Sequence, residues 1–204
     1  KLALDLLMDD RIKLVSLMGT AGTGKTLLAI ACGLQKCLDE GKYTKMLVAR
    51  PIYPMGRDIG FLPGTIDEKL KPWMQPVFDN LEYLLAGYDS SSFGKMNDLL
   101  SSGVIEVEAL TYIRGRSIPE QFIIVDEAQN LTPHEVKTIV SRVGENTKIV
   151  LTGDPFQIDN PYMNESNNGL SYIVDRFKNL PLAGHITLEK GERSALANAA
   201  AELL

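Results

Sequence analysis

One stretch limits what this chain can fold into more than any other: GTAGTGKT, Gly19 to Thr26, standing between an apolar run and a helical pattern. The run before it, Lys13 to Met18 (KLVSLM), suits a buried strand, and Lys25 to Leu38 repeats apolar residues at helical spacing. Strand, glycine-rich turn and helix then form one local unit, the setting in which G-x-x-x-x-G-K-[ST] has chemical meaning. The glycines let successive backbone N–H groups curl around an anion without Cβ clashes, and the new helix adds unpaired N–H groups and the positive end of its dipole. Lys25 contributes a point charge, and the Thr26 hydroxyl is a hard oxygen of the kind magnesium prefers. Gly19, Thr20, Ala21, Gly22, Thr23, Gly24, Lys25, Thr26 and Leu27 are therefore expected to cradle the phosphates of ATP with Mg2+.

The rest of the chain repeats the strand and helix alternation. Further strand-like apolar runs occur at Lys45 to Ala49, Val104 to Ala109, Phe122 to Val125, Lys148 to Thr152 and His185 to Leu188. Helical patterns occupy Asp67 to Leu85, Gly94 to Ser101, Pro133 to Val143, Leu170 to Lys178 and Ser194 to Leu204, with Thr132 and Pro133 as an N-cap and first-turn pair. This order predicts a three-layer α/β fold with a doubly wound, mainly parallel sheet and its chemistry at the carboxyl ends of the strands. Two long connections, Pro51 to Thr65 and Asp154 to Asn168, are rich in turn residues, and the second is expected to be loosely held.

Two of those strand ends carry polar groups that a core has no use for. FIIVDEAQN, Phe122 to Asn130, ends an apolar strand in consecutive carboxylates, whose desolvation needs a cation or donors nearby. Asp126 is expected to join Thr26 in holding magnesium, and Glu127 to polarise an attacking water as general base. LTGDPFQ, Leu151 to Gln157, repeats the arrangement with Asp154 and Gln157, expected to sense the γ-phosphate, and with Gly153 as a turn residue.

Bulk properties exclude several other classes. At 204 residues and 45% hydrophobic, the chain suits one domain with a substantial core. It holds no uninterrupted apolar stretch long enough for a membrane span and no signal-peptide pattern, so a soluble, cytoplasmic protein without membrane contact is expected. It also begins inside an amphipathic pattern without a cap, which predicts a piece of a longer protein. Cys32 and Cys37 lack metal-site spacing and read as reduced, buried thiols. A net charge of -5 argues against coating nucleic acid by bulk electrostatics, so any such contact must be local.

Together, GTAGTGKT, VDEAQN and LTGDPFQ resemble the Walker A, Walker B and third motifs of superfamily 1 helicases. ARPIYPMGRDIGFLPGTIDEKLKPW, ALTYIRGRSIPEQFIIVDEAQN and LEKGERSALA resemble the PhoH family over about Leu2 to Leu204, in particular the branch in which a PIN nuclease domain precedes the ATPase. The resemblance implies a RecA-like ATPase domain, ATP-dependent binding or unwinding of RNA as in an RNA helicase, with single-stranded RNA as partner, and a homo-oligomer in the form of a hexameric ring. No PIN domain is visible in this sequence, so nuclease activity is not carried over.

Phosphoryl transfer commonly recruits an arginine to the charge developing on the γ-phosphate, and Arg193 of the GERS motif is expected to supply it from a neighbouring subunit. Arg50, Arg57, Arg114 and Arg116, interleaved with Tyr53, Trp73 and Tyr112 near strand ends, are the candidates for gripping a single strand; Arg50 could equally reach a phosphate of ATP. Lys25, Glu127, Asp154, Gln157 and Arg193 thus form the expected catalytic set. Two other uses of a phosphate loop remain open: a small-molecule kinase, which would need an acceptor site in place of Glu127, and a nucleotide-gated oligomerisation module with slow turnover.

Overall fold

The computed structural model describes residues 1–52, 66–86, 92–110 and 117–191, with side chains from residue 71 in the second stretch and residue 94 in the third. Its strands are β1 Leu14–Gly19, β2 Lys45–Arg50, β3 Ile105–Ala109, β4 Gln121–Val125, β5 Lys148–Gly153 and β6 Ala183–Leu188. Around them lie helices α1 Leu2–Met8, α2 Lys25–Leu34, α3 Ile66–Ala86, α4 Ser92–Ser101, α5 Pro133–Val140 and α6 Gly169–Phe177.

The strands form one six-stranded sheet in the order β3-β2-β4-β5-β1-β6, and every pairing is parallel. Because side chains alternate along a strand, each central strand feeds two cores. Phe122 and Ile124 of β4 join Val15, Leu17, Met46 and Val150 beneath α1 to α4, whereas Ile123 and Val125 join Leu47, Ile149 and Leu151 beneath α5 and α6. The expected doubly wound α/β fold is therefore the one observed, and residues buried on both faces explain why its strands read as continuous apolar runs.

The chain crosses from β1 to β2, turns back at β4, and fills the gap between β4 and β1 with β5. The carboxyl ends of β1, β5, β4 and β2 consequently stand side by side, on the edge where such sheets bind ligands.

Local chemistry explains the boundaries. Thr132 and Glu135 form the reciprocal capping box of α5, with Pro133 at its first turn. That helix stops at Val140 rather than Val143, because Val143 leaves to bridge Ile118. The helix expected to reach Leu38 changes at Gln35 into a π-helical turn, Gln35–Asp39, whose buried Lys36 pairs with Asp10 at 2.9 Å and Glu40 at 2.8 Å. Cys32 and Cys37 are free, and burial pushes their thiols up to about 11 and about 12, which keeps them unreactive.

Lys148 was expected only to begin β5, yet it is fully buried, with Nζ donating to the carbonyls of Leu7 at 2.7 Å, Asp9 at 2.8 Å and Leu6 at 3.2 Å. A cation is thus spent on the orphan carbonyls at the end of α1, locking that helix onto the sheet. The expected helix Ser194 to Leu204 lies outside the described residues. Among the described residues, no helix is long and apolar enough to cross a membrane.

Candidate active site

The phosphate loop is built almost entirely from backbone. Gly22 and Gly24 hold φ of 81° and 79°, the left-handed region that favours glycine. Gly19 answers a different constraint, since a Cβ there would lie 2.5 Å from the Leu188 carbonyl oxygen of β6. The Lys25 ammonium folds back over the loop and donates to the carbonyls of Gly19 at 2.6 Å and Thr20 at 2.9 Å. Thr23 closes the turn by donating from Oγ1 to the Thr20 carbonyl at 2.8 Å.

Beside this cradle the ends of β2, β4 and β5 assemble a corner from side chains. Asp126 is buried, and its Oδ1 accepts from Thr26 Oγ1 at 2.8 Å and Thr152 Oγ1 at 2.6 Å. Thr26 and Asp126 are hard oxygen donors already in mutual reach, a set that fits Mg2+, which takes few protein ligands and keeps water and phosphate for the rest.

Glu127 follows with φ 55°, a left-handed conformation that costs a residue with a Cβ roughly 1 kcal/mol. Its Oε1 lies 3.3 Å from Arg50 Nη2, and its Oε2 accepts from Gln129 Nε2 at 2.5 Å. Burial and the neighbouring Asp126 charge raise the Glu127 pKa, while Gln129, Arg50 and Lys25 act in the opposite sense. A carboxylate balanced in this way is a better proton acceptor than a solvated one.

Gln129 is the residue that joins the second and third polar clusters. Fully buried, it donates to Glu127 and to the Gln157 carbonyl at 2.8 Å, and its Oε1 accepts from the Asp154 backbone N–H at 3.2 Å. This explains Gly153: a Cβ there would lie 2.3 Å from Gln129 Oε1, so close approach, not turn geometry, demands glycine. Asp154 is buried, and its Oδ1 accepts from the Phe156 N–H at 3.0 Å. Gln157 is exposed and enters the network through its backbone.

The connection from Asp154 to Asn168 is fastened, contrary to expectation. Asn130 Oδ1 accepts from the Asp159 N–H at 2.7 Å, while buried Asn168 donates to the carbonyls of Asn164 and Glu165, both at 2.9 Å. Asparagines that mimic backbone turns replace regular structure there.

Residues 2–203 match the family described as PhoH-like protein. The chain belongs to the PhoH family. It is 61% identical over 204 residues to Protein PhoH2 of Bacillus subtilis (strain 168), covering all of this chain and 46% of that relative. Protein PhoH2 of Mycolicibacterium smegmatis (strain ATCC 700084 / mc(2)155) is 42% identical over 205 residues, covering all of this chain and 45% of the relative. This PhoH-family chain thus spans a little under half the length of these curated relatives. Among solved structures, the Pif1 helicase from Candida albicans aligns with 98% of this chain and 41% of its own at 13% identity, with a TM-score of 0.45.

Within this PhoH-family domain, Gly19 to Leu27, Asp126, Glu127 and Asp154 gather at one edge as expected. Arg50, expected to grip a single strand or to reach a phosphate of ATP, points into the carboxylate corner, 3.9 Å from Asp126 Oδ2 and 3.3 Å from Glu127 Oε1. The pull of two neighbouring carboxylates on a guanidinium explains that direction. Arg57, Arg114, Arg116 and Arg193, with Tyr53 and Tyr112, lie outside the described residues. The chain's last described residue, Gly191, lies against the phosphate loop, where its Cβ would be 3.4 Å from the Ala21 carbonyl oxygen. Sequence reasoning missed Gln129, Asn130 and Thr152. For Gln129 and Asn130 the available signal was a pair of amides one residue after two acids at a buried strand end, where amides must find partners.

Proposed function

We propose that this chain is the ATP-hydrolysing part of a longer RNA-dependent enzyme. The observation that carries the reading is Glu127: a second carboxylate, held in a strained turn beside the magnesium-type pair Thr26 and Asp126, half-buried and restrained through both oxygens. A module that only binds nucleotide needs the loop and Asp126 but gains nothing from such a strained acid. In this reading the loop amides and Lys25 bind the phosphates, and Thr26 and Asp126 hold Mg2+, which would neutralise charge on the transferring phosphoryl group. Glu127 takes the proton of the attacking water, and Gln129 carries the state of that acid to Asp154 and the Gln157 carbonyl. Glu127→Gln should abolish hydrolysis and leave ATP affinity within a fewfold; hydrolysis at the wild-type rate would sink the reading.

Single-stranded RNA as the partner is supported by topology. Arg50 of β2 and Ala109 of β3 are neighbours in register, so the two strands that precede Arg57 and precede Arg114 and Arg116 in the chain end side by side at the carboxyl edge of the sheet. Turnover in the full-length protein should rise with single-stranded RNA and lose that stimulation as salt increases. Assembly into a ring of identical subunits completes the proposal. The loop after β5 supports it by presenting Phe156 and Tyr162 at 69% and 84% exposure with acids and no basic residue nearby in sequence, which suits a protein neighbour better than a phosphate backbone. In such a ring Arg193 is proposed to act on the nucleotide of a neighbouring subunit.

A further inference from the structure

We propose that Arg50 is a positioning residue that ties Glu127 to helix α3, so that the proposed base is held in place from the neighbouring strand and helix. The inference rests on the reading of Glu127 as that base, but its geometry stands alone. Arg50 ends β2, directly beside β4, where Ala49 pairs with Val125 and its carbonyl accepts from the Asp126 N–H at 2.9 Å. Its Nη2 meets Glu127 Oε1 at 3.3 Å, and its Nη1 lies 3.9 Å from Asp126 Oδ2 and donates to the Trp73 carbonyl of α3 at 3.3 Å. One guanidinium thus bridges two catalytic-edge carboxylates and a helix that begins 16 residues later, at Ile66.

The carboxylate is held from two sides. Gln129, whose partners lie at the end of β5, grips Oε2, while Arg50, anchored on α3, grips Oε1. Only the flat, many-donor guanidinium can serve the carboxylates and the carbonyl at once; an ammonium can match the charge but not the span. Topology supplies the purpose. Arg50 ends β2 and Trp73 lies in the next helix of the chain, so one contact joins the end of that strand to α3. Without the Trp73 carbonyl, the Arg50 guanidinium is held only by the two carboxylates.

The first test uses full-length protein without nucleotide. In denaturant unfolding of Arg50→Ala, Glu127→Gln and the double variant, Arg50→Ala should lower the folding constant roughly tenfold in the wild-type background and less than threefold beside Glu127→Gln, because the partner charge is gone. Equal losses in both backgrounds overturn the tie. Should Arg50→Ala fail to fold, Arg50→Gln runs the same cycle. The second test uses Arg50→Lys, which should keep nucleotide affinity within twofold but lower kcat at least fivefold and abolish stimulation by single-stranded RNA. Wild-type kcat and stimulation in Arg50→Lys, or affinity falling in step with kcat, overturn the positioning role, the latter in favour of a phosphate ligand. If Glu127→Gln proves fully active, the base reading fails while the nucleotide-free cycle still decides whether Arg50 holds that carboxylate.

Discussion

The two halves of the nucleotide edge are built by opposite means. The phosphate loop is contiguous in sequence and made of backbone: Gly22 and Gly24 bend it, and Lys25 closes over its carbonyls. The carboxylate corner draws Arg50, Asp126, Glu127, Gln129, Thr152 and Asp154 from three strands and joins them through side chains. A backbone cradle tolerates change at its neighbours, since its shape is set within a few residues. A side-chain corner fails as a unit, because each buried polar group depends on the partner facing it.

The largest expected effects separate the two halves by kind. Lys25→Ala should weaken ATP binding and hydrolysis together, while Glu127→Gln should cut turnover by about 10²–10⁴ with binding retained, read by equilibrium nucleotide titration beside steady-state rates. If both variants lose affinity equally, the division of labour is wrong.

Next in size is the packing that holds the corner together. Gly153→Ala places a Cβ 2.3 Å from Gln129 Oε1 and should cost about 1–3 kcal/mol in chemical denaturation. Gln129→Ala should relieve part of that cost in the double variant, so strict additivity would remove Gln129 from the account.

Strand β5 is anchored at its other end by Lys148, whose burial brings its pKa down to about 8, against 10.5 in the unfolded chain. Between those values the unfolded chain holds the proton and the folded one has released it, so stability should rise with pH through that window, by at most about 3 kcal/mol. The three carbonyls on Nζ oppose this by favouring the charged form, and they keep the gain below that ceiling. Lys148→Met, followed by thermal unfolding from pH 7 to 11, should remove the rise, while a profile parallel to wild type would assign it to other groups.

The smallest effect is expected at Gln157. Its carbonyl, not its side chain, completes the network, so Gln157→Ala should change stability by less than about 0.5 kcal/mol. A loss of turnover as large as that of Gln129→Ala would restore the γ-phosphate role expected for the Gln157 side chain.

How much could be read beforehand follows the same division. Apolar runs mark all six strands to within two residues, and the four central ones, buried on both faces, need no alternation to be recognised. The cap at Thr132 and the whole phosphate loop are equally legible, being rules about adjacent residues. Gly153 was assigned to a turn because no local rule shows that Gln129, 24 positions earlier, will press against it. Lys148 was legible only as the first residue of a strand, since the α1 carbonyls that hold it lie about 140 residues away in sequence.

The sequence by itself therefore determined the α/β architecture, the PhoH-family character, the phosphate loop and the positions of Asp126 and Glu127, all of which depend on short-range pattern. Only the tertiary structure decided that Arg50 turns inward, that Gln129 joins the second and third polar clusters, and that Asn130 fastens the loop after β5. The reason is physical: a buried charge or amide takes whichever partner the strand order brings within hydrogen-bond reach, and strand order is a property of the folded sheet.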